Sequence, residues 1–457
     1  MRICYVVLSP TFGMQQYAAD MANGRALDAD TQVEVVTVRT ANLDRFSPRV
    51  KVHAIADVRG TGLKAGNFNP AGWLKVYRAI INTRPDIVHF TGPHLWNPPL
   101  MVALRRAGLP MVHTLHDLDP HSGAGYGKLL YAWNNSIKRL ADHVLVHGQL
   151  YRARLIADGL KADRVTSVPL LHLFVNQANE AQLRDQFVAQ LPAADEAAPF
   201  ALFFARLEAY KGVGVLIEAL RQSPQTRAII AGQGDASEFA ANLPANVELR
   251  NRLIEDAEAI ELFSRCSVVV LPYLDATQSA LIAAAYFFGK PVIVTRTGAL
   301  PEYVSDGATG WVIEPNQPQQ LAQCLSAALN NPAKLAQLGR AGREWYVAQR
   351  RLERRNLRQM YEMVYTRSTA GTPPVEIERG GRYVNDCSVA IMMWYNHQHD
   401  HTQKNQSICA CCALGLSADP GHVSVVSAPQ EQENLYPTAV GGVRVVDVLC
   451  RSELSRL

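Results

Sequence analysis

The chain has 457 residues, with 45 Lys and Arg against 41 Asp and Glu, and its formal net charge is therefore +4. At about 150 residues per domain, this length predicts two or three domains. Apolar residues make up 48% and charged residues 19%, which excludes global disorder. So small a net charge argues against nucleic acid as the main partner. No run of about 18 apolar residues occurs, and residues 1–10 lack a signal-peptide cleavage pattern, so we expect neither a membrane span nor secretion.

Eight cysteines are spread unevenly along the chain. Cys4, Cys266 and Cys324 are isolated from one another, and the other five lie beyond residue 386. Isolated thiols in a large body are typical of a reducing cytosol rather than of a disulfide framework. We therefore expect a cytoplasmic protein.

Short apolar runs alternate with longer amphipathic segments in the first half of the chain. Helical periodicity occurs between the apolar runs, for example at 70–83 and 127–141. Continuous apolar strands separated by helices predict a parallel sheet that is covered on both faces. The strand candidates lie at 3–8, 33–38, 50–55, 86–90, 110–116, 143–148 and 164–169.

The same pattern restarts after a polar, Ala-rich stretch at 173–198, which we interpret as a linker. We therefore place an N-terminal domain at 1–172 and a C-terminal domain at 199–349. Two doubly wound, Rossmann-like α/β domains in tandem predict a cleft at the carboxyl ends of their strands, where ligands bind. The strand candidates of the second series lie at 200–205, 227–232, 247–251, 267–272 and 291–295.

The character of the chain changes after the second domain. Residues 350–368 read as a basic amphipathic helix, which we interpret as a packing helix with a solvated Arg face. Contact with an anionic membrane surface is the alternative. Residues 369–457 show no periodicity, and we expect them to be mostly disordered. Their spacing of potential zinc ligands fits no closed finger, so we predict no metal site among His397, His399, His401, Cys409, Cys411 and Cys412.

The segment ARLEAYKGVGVLIEAL at 205–220 carries the strongest chemical signal. Arg206 and Lys211 follow a strand, and a helix begins near Gly212. Two cations beside a helix N-terminus can neutralise a diphosphate. The alternative for this fragment is a strand-to-helix turn with solvated cations.

A second segment, from Asp275, points to the same cleft. Thr277, Gln278 and Ser279 precede the small-residue helix SALIAAAYFFG. Ser279 is a suitable N-cap, and the free amides of the first turn would face the ligand. A tightly packed core helix is compatible with this function.

The N-terminal half concentrates the histidines, with eight of the thirteen between His89 and His172. His116 and Asp117 end the apolar strand at 110–116, so both can reach the cleft. His121 continues the same loop as an acceptor-side candidate. Gly13 lies in the first loop, where backbone can approach a phosphate closely or can form an ordinary turn.

Taken together, these segments resemble family 4 of the retaining glycosyltransferases, which have the two-domain GT-B fold. The resemblance rests on SPTFGMQQYA (9–18), ARLEAYKG, AGQGD (231–235) and GKPVIVTRTGALPEYVSDGATGWVIEP (289–315), and it covers residues 1–365 in order. It implies a metal-independent enzyme without a cofactor, and it makes Asp117-Leu-Asp119 a chance match to a metal motif. The implied donor is a nucleotide-diphosphate sugar, and the implied acceptor is a glycan or a lipid-linked glycan in polysaccharide biosynthesis.

The resemblance also implies roles for individual residues. Arg206 and Lys211 match the family's basic pair that stabilises the leaving diphosphate. His116 matches the histidine near the transferring sugar. Weak peripheral contact with the inner membrane face is a further implication of such systems.

One departure from the family pattern concerns the donor site. The family usually carries Glu-x7-Glu before the GKP turn, and the corresponding positions here are Ala276 and Ala284. Asp275 and Gln278 are the polar candidates to replace these carboxylates. DATQS at this place is similar to a subset of family 4.

Two other classes of protein remain open. Loss of both glutamates is compatible with a non-catalytic GT-B scaffold, although retention of Arg206, Lys211 and His116 favours an enzyme. A nicotinamide-dependent oxidoreductase is disfavoured because TFGMQQ, and no G-x-G-x-x-G, follows the first strand.

Overall fold

A computed structural model of the chain describes residues 1–58, 67, 69–120, 127–192, 194 and 198–370. The predicted tail at 369–457, apart from its first two residues, lies outside the described residues, and so does His121. None of the described helices is both long enough and apolar enough to cross a membrane.

The N-terminal sheet has seven strands, all parallel, in the order β3-β2-β1-β4-β5-β6-β7. The order reverses between β1 and β4, which makes the loops after these strands the expected ligand crevice. The strands are β1 (Arg2–Val7), β2 (Gln32–Val38), β3 (Lys51–Ala56), β4 (Ile87–Phe90), β5 (Met111–Thr114), β6 (His143–Val146) and β7 (Val165–Ser167). The helices are α1 (Phe12–Arg25), α2 (Pro70–Asn82), α3 (Asn97–Arg106), α4 (Gly127–Leu140) and α5 (Gln149–Ala157).

The C-terminal sheet repeats this architecture with six parallel strands in the order β10-β9-β8-β11-β12-β13, and its order reverses between β8 and β11. The prediction of two doubly wound domains is therefore confirmed. The strands are β8 (Ala201–Phe204), β9 (Ala228–Ala231), β10 (Val247–Arg250), β11 (Val268–Leu271), β12 (Val292–Thr295) and β13 (Gly310–Ile313). The helices are α7 (Val213–Arg221), α8 (Asp256–Arg265), α9 (Ala280–Phe287), α10 (Pro318–Leu329) and α11 (Pro332–Thr369).

The stretch at 173–198 is more than a linker, because it contains helix α6 (Gln177–Ala189). The Asn176 side chain caps this helix by accepting a hydrogen bond from the Asn179 amide at 2.8 Å. Phe187 packs against Phe287 and Phe288 of the C-terminal domain, with ring centroids 5.3 and 5.4 Å apart. A single aromatic anchor on a polar helix leaves little hydrophobic periodicity, which is why the sequence did not indicate it.

Helix α11 is one continuous element that packs on both domains, so the predicted boundary at residue 350 falls inside it. Near its start, Arg343 donates a hydrogen bond to the Phe287 carbonyl of α9 at 2.7 Å. Near its end, the hydroxyl of Tyr361 hydrogen-bonds His89 of β4 at 2.6 Å and Tyr5 of β1 at 2.9 Å. The helix therefore joins the two domains mechanically.

The predicted Arg face of residues 350–368 is present, because Arg351, Arg354, Arg355 and Arg358 are exposed, but Arg350 at the middle of α11 departs from it. Arg350 is half-buried and pairs through both terminal nitrogens with Asp20 of α1, at 2.7 and 2.8 Å. It also contacts Glu353 at 2.7 Å. Burial alone would raise the pKa of Asp20, but the Arg350 guanidinium outweighs it and the pKa is lowered. A largely buried pair of this kind is costly to break on one side only, so Arg350 is a domain-joining residue.

Candidate active site

The strand order of the C-terminal sheet reverses between β8 and β11, and the loops that follow these two strands contact each other. Gly212 adopts φ +70°, and a Cβ there would lie 1.9 Å from the Pro272 carbonyl oxygen, so only glycine lets the β8–α7 loop approach the end of β11. The Leu274 amide then donates to the Tyr210 carbonyl at 2.8 Å. The loops that carry Arg206–Lys211 and Asp275–Ser279 are thereby brought together.

Lys211 lies between aromatic rings at this junction. Its Nζ is 3.9 Å from the ring centroid of Tyr273 and 4.8 Å from that of Tyr210. The Tyr273 hydroxyl is in turn 3.4 Å from the Ser279 hydroxyl, which caps α9 through the Leu281 amide. No carboxylate among the described residues pairs with Lys211. A half-buried cation without a counter-ion beside a helix N-terminus is suited to an anionic ligand.

Arg206 is differently placed. Its side chain is 71% exposed, and Nη1 lies 2.5 Å from Glu208 Oε1. An exposed ion pair of this kind is worth little, about 1 kcal/mol or less. A diphosphate can therefore take Arg206 from Glu208 at small cost.

The remaining donor-side candidates lie around the first turn of α9. Thr277 is buried, and the Oε1 atom of Gln278 is buried without a partner among the described residues. Asp275 is half-buried in the same loop. Ala276 and Ala284, at the positions of the usual glutamates, are both buried. Asp275 and Gln278 therefore place side-chain carbonyl or carboxylate oxygens on either side of the first missing glutamate position, Ala276.

His116 follows β5 at the carboxyl edge of the N-terminal sheet. Its Nε2 lies 2.9 Å from the Thr91 carbonyl oxygen, which can only accept, so Nε2 carries the proton. Burial lowers the pKa of His116, which keeps the imidazole neutral. Nδ1 is therefore an acceptor, and it has no partner among the described residues.

Sequence reasoning did not single out the residues around His116. His147, directly after β6, has its ring centroid 5.2 Å from that of His116, and both rings meet Tyr17 of α1 edge-on at 5.1 and 4.8 Å. His172 lies 5.9 Å from the same tyrosine ring. His147 donates through Nδ1 to the Val168 carbonyl at 3.1 Å, so its Nε2, which has no partner in the described part of the chain, is a second buried acceptor. The abundance of histidine at strand ends was the available signal.

Contacts across the cleft come from the segment that follows β12. The Tyr303 hydroxyl accepts a hydrogen bond from the Leu170 amide at 2.8 Å. Glu302 accepts hydrogen bonds from the amides of Gln149 and Leu150, at 2.6 and 2.8 Å, and so caps helix α5 of the opposite domain. Burial raises the pKa of Tyr151 on α5 to about 12, and a hydrogen bond with Thr277 opposes the rise. The donor-side loop and α5 therefore touch directly.

The other N-terminal candidates lie nearer the rim. Asp117 is half-buried directly after His116. Asp119 pairs with Arg154 and accepts a hydrogen bond from Tyr131 at 2.9 Å, so its carboxylate is already engaged. Gly13 lies exposed in the first turn of α1, and a Cβ there would meet no atom within 4 Å. Open space beside this turn leaves room for a ligand but does not by itself require glycine.

Two sequence families match the two domains. The family described as a glycosyl transferase 4-like domain matches residues 12–170, and glycosyl transferases group 1 matches residues 186–345. The chain belongs to the glycosyltransferases of the GT-B fold. Together the two matches leave out residues 1–11, 171–185 and 346–457.

Named relatives agree with this family but diverge in sequence. The glycosyltransferase is 26% identical over 370 residues to the D-inositol 3-phosphate glycosyltransferase of Streptomyces avermitilis, covering 72% of this chain and 78% of that protein. It is 21% identical over 287 residues to the sulfoquinovosyl transferase SQD2 of Arabidopsis thaliana, covering 59% of this chain and only 55% of the plant protein. Among solved structures, HepE of Anabaena in complex with UDP superposes with a TM-score of 0.59 at 19% identity, covering 79% of this chain and 100% of HepE. The chain thus spans little more than half of its plant relative, and the structural likeness concerns the fold.

Proposed function

We propose that this glycosyltransferase moves a sugar from a nucleotide-diphosphate sugar to a hydroxyl of a glycan or lipid-linked acceptor, with retention of configuration, in polysaccharide biosynthesis. One observation carries the proposal. Lys211, which has no carboxylate partner in the part of the chain that the structure describes, contacts Tyr273, whose hydroxyl meets the N-cap of α9 where the strand order of the C-terminal sheet reverses. HepE, which shares the fold, was solved with UDP, and this supports a nucleotide donor.

The leaving diphosphate is the group that this site would stabilise. Negative charge accumulates on it as the glycosidic bond breaks, and fixed cations and amide dipoles lower the energy of that state. In the proposed arrangement, Lys211 and Arg206 hold the diphosphate, together with the first-turn amides of α9 and the loop at Gly13. These groups could carry out the neutralisation without a metal ion.

Retention follows from attack on the face that the leaving group occupies. The bond between the anomeric carbon and the diphosphate oxygen breaks, and the acceptor oxygen bonds to that carbon from the same side. The acceptor proton passes to a phosphate oxygen of the leaving group. No carboxylate nucleophile is needed, which accommodates Ala276 and Ala284.

In this proposal, hydrogen-bonding side chains of both domains recognise the sugars. The Nδ1 atom of His116 accepts a hydrogen bond from a hydroxyl of the transferring sugar, because Nε2 is committed to Thr91. Asp275 and Gln278 take over contacts with the donor sugar or ribose. Asp117 lies on the acceptor side, and His121 is a further acceptor-side candidate by sequence.

The cellular setting is part of the same proposal. We place the reaction in the cytoplasm, with weak, salt-sensitive contact at the inner face of the membrane when the acceptor is lipid-linked.

A non-catalytic GT-B scaffold is the second candidate, and the buried alanines in place of both family glutamates favour it. Sugar transfer separates the two functions, because a scaffold would bind partners without turnover.

Replacement of His116 by alanine tests the N-terminal half of the site. We expect turnover to fall about tenfold to hundredfold, which corresponds to losing one hydrogen bond of about 1.5–3 kcal/mol to a partner that carries charge in the transition state. Nucleotide protection against heating should stay within a few degrees of the parent, because both cations that would bind the diphosphate, Arg206 and Lys211, lie in the other domain. The measurement is release of nucleoside diphosphate from each of several nucleotide sugars. His53→Gln on β3 is the matched control, and an equal loss in both variants would contradict the assignment.

A further inference from the structure

Helix α5 of the N-terminal domain lacks a cap of its own. It begins after Gly148, which has no side chain, and the backbone there has φ +146°. The first amides of an α-helix have no partner within the helix. In this chain, the amides of Gln149 and Leu150 are satisfied by the two carboxylate oxygens of Glu302, at 2.6 and 2.8 Å.

Residues of both domains permit the close contact at the start of α5. A Cβ at Gly148 would lie 2.7 Å from the Cβ of Ala299, so the N-terminal domain carries glycine where the C-terminal domain touches it. A helix N-terminus favours a carboxylate because of the helix dipole. The contact therefore combines shape with charge.

The segment that carries Glu302 is also attached to the donor-side loop. The Ala299 amide donates a hydrogen bond to the Thr277 carbonyl at 2.9 Å. Thr277 also meets Tyr151, one residue beyond the amides that Glu302 caps. The donor loop is thus connected to α5 in two ways: directly from Thr277 to Tyr151, and through Ala299 and Glu302.

We infer that Glu302 is a positioning residue that holds α5 and its Tyr151 against the donor loop, and so assembles the two halves of the site. The inference rests on the proposed function for the identity of the donor. The carboxylate is largely exposed, so water can replace the two amides when the domains separate. The contact can therefore break and re-form in each catalytic cycle.

The contact itself is tested by hydrogen exchange in the free protein, without any sugar donor. We expect the amides of residues 149 and 150 to exchange about tenfold faster in Glu302→Gln and faster still in Glu302→Ala, because these backbone donors lose a charged acceptor. Peptides from α7 should be unchanged. Gly148→Ala should produce the same acceleration from the opposite domain.

Steady-state kinetics test the positioning. We expect kcat of Glu302→Gln to fall about tenfold while nucleotide protection is retained, since a closure contact acts after the diphosphate has bound. Glu314→Gln is the control, because Glu314 is equally exposed and pairs with Arg296 within its own domain. A merely structural role would lower the melting temperature and leave kcat of the folded fraction unchanged.

Each result decides one part of the inference. Unchanged exchange at 149 and 150 in Glu302→Ala would show that the contact does not form in solution. Faster exchange with unchanged kcat would overturn the positioning role. If the parent transfers no sugar from any nucleotide donor, the proposed function and the positioning role both fail, and the exchange data still decide whether the contact exists.

Discussion

Replacement of Lys211 by methionine should reduce sugar transfer about a hundredfold to a thousandfold, the range for losing a preorganised charge at a developing anion. Methionine keeps an apolar stem on the rings of Tyr210 and Tyr273, so the fold should survive. Nucleotide protection should be lost as well, because the cation meets the diphosphate in the ground state. Arg206→Ala should show a smaller loss, since Arg206 must first leave Glu208.

The matched control for this variant is Lys161→Met, which removes one exposed lysine from the other domain. Its turnover should equal that of the parent. Initial rates of nucleoside diphosphate release, with circular dichroism to confirm folding, provide the measurement. If Lys211→Met retains a tenth or more of the parent rate, the cation does not stabilise the leaving group.

Acidification should unfold the N-terminal domain at a higher pH than is usual for a domain without buried histidines. Burial lowers the pKa of His94 and His143 to about 4 and that of His113 to about 3. A histidine whose pKa is lowered in the folded state contributes stability above its unfolded pKa of about 6.5, and this contribution is lost as the pH falls. The contribution of each histidine to the free energy of unfolding falls by about 1.4 kcal/mol per pH unit as the pH is lowered from about 6.5 to the pKa of the folded state.

These contributions are large compared with the stability of a domain. Three such histidines lose about 6 kcal/mol between about pH 6.5 and 5, against a typical total of about 5–15 kcal/mol. Glu353 acts in the opposite direction, because burial raises its pKa to about 7 and protonation then favours the folded state. One carboxyl group cannot offset three imidazoles.

Urea denaturation at several pH values measures this effect. The free energy of unfolding should fall steeply below about pH 6.5. In the parent, the Trp96 amide donates a hydrogen bond to His94 Nδ1 at 3.2 Å, and the side-chain oxygen of Asn in His94→Asn can accept it instead. Because this variant has one titrating histidine fewer, its free energy of unfolding should fall less steeply with pH, by the slope that corresponds to one proton. Equal stability at pH 7.5 and 5 would show that these histidines are not buried in solution.

The strands were predictable because both sheets are buried on both faces and therefore read as continuous apolar runs. Strand β13 was missed because Gly310–Ile313 is a short run inside a glycine-containing loop segment. Helix α6 was missed because its packing face is narrow. Long-range polar contacts also leave no local signal, so the ion pair of Arg350 with Asp20 could not be anticipated from neighbouring residues.

Sequence reasoning could indicate candidate site residues where polar side chains follow a strand. Lys211, Ser279 and His116 all lie in segments that follow strands, and in the structure Lys211 contacts the ring of Tyr273 while Ser279 lies 3.4 Å from its hydroxyl. The capping of α5 by Glu302 was not predictable, because the two partners are some 150 residues apart and meet only when the domains face each other.

Thermal unfolding with UDP, GDP, ADP or dTDP, each with a chelator present, tests the central claim most directly. The nucleotide-donor assignment predicts that one nucleotide protects the parent selectively, by about 2.7 kcal/mol at a hundred times its dissociation constant. That protection should disappear in Lys211→Met and be weaker than in the parent in Arg206→Ala. Absence of protection by all four nucleotides would contradict a nucleotide-sugar site and favour the scaffold.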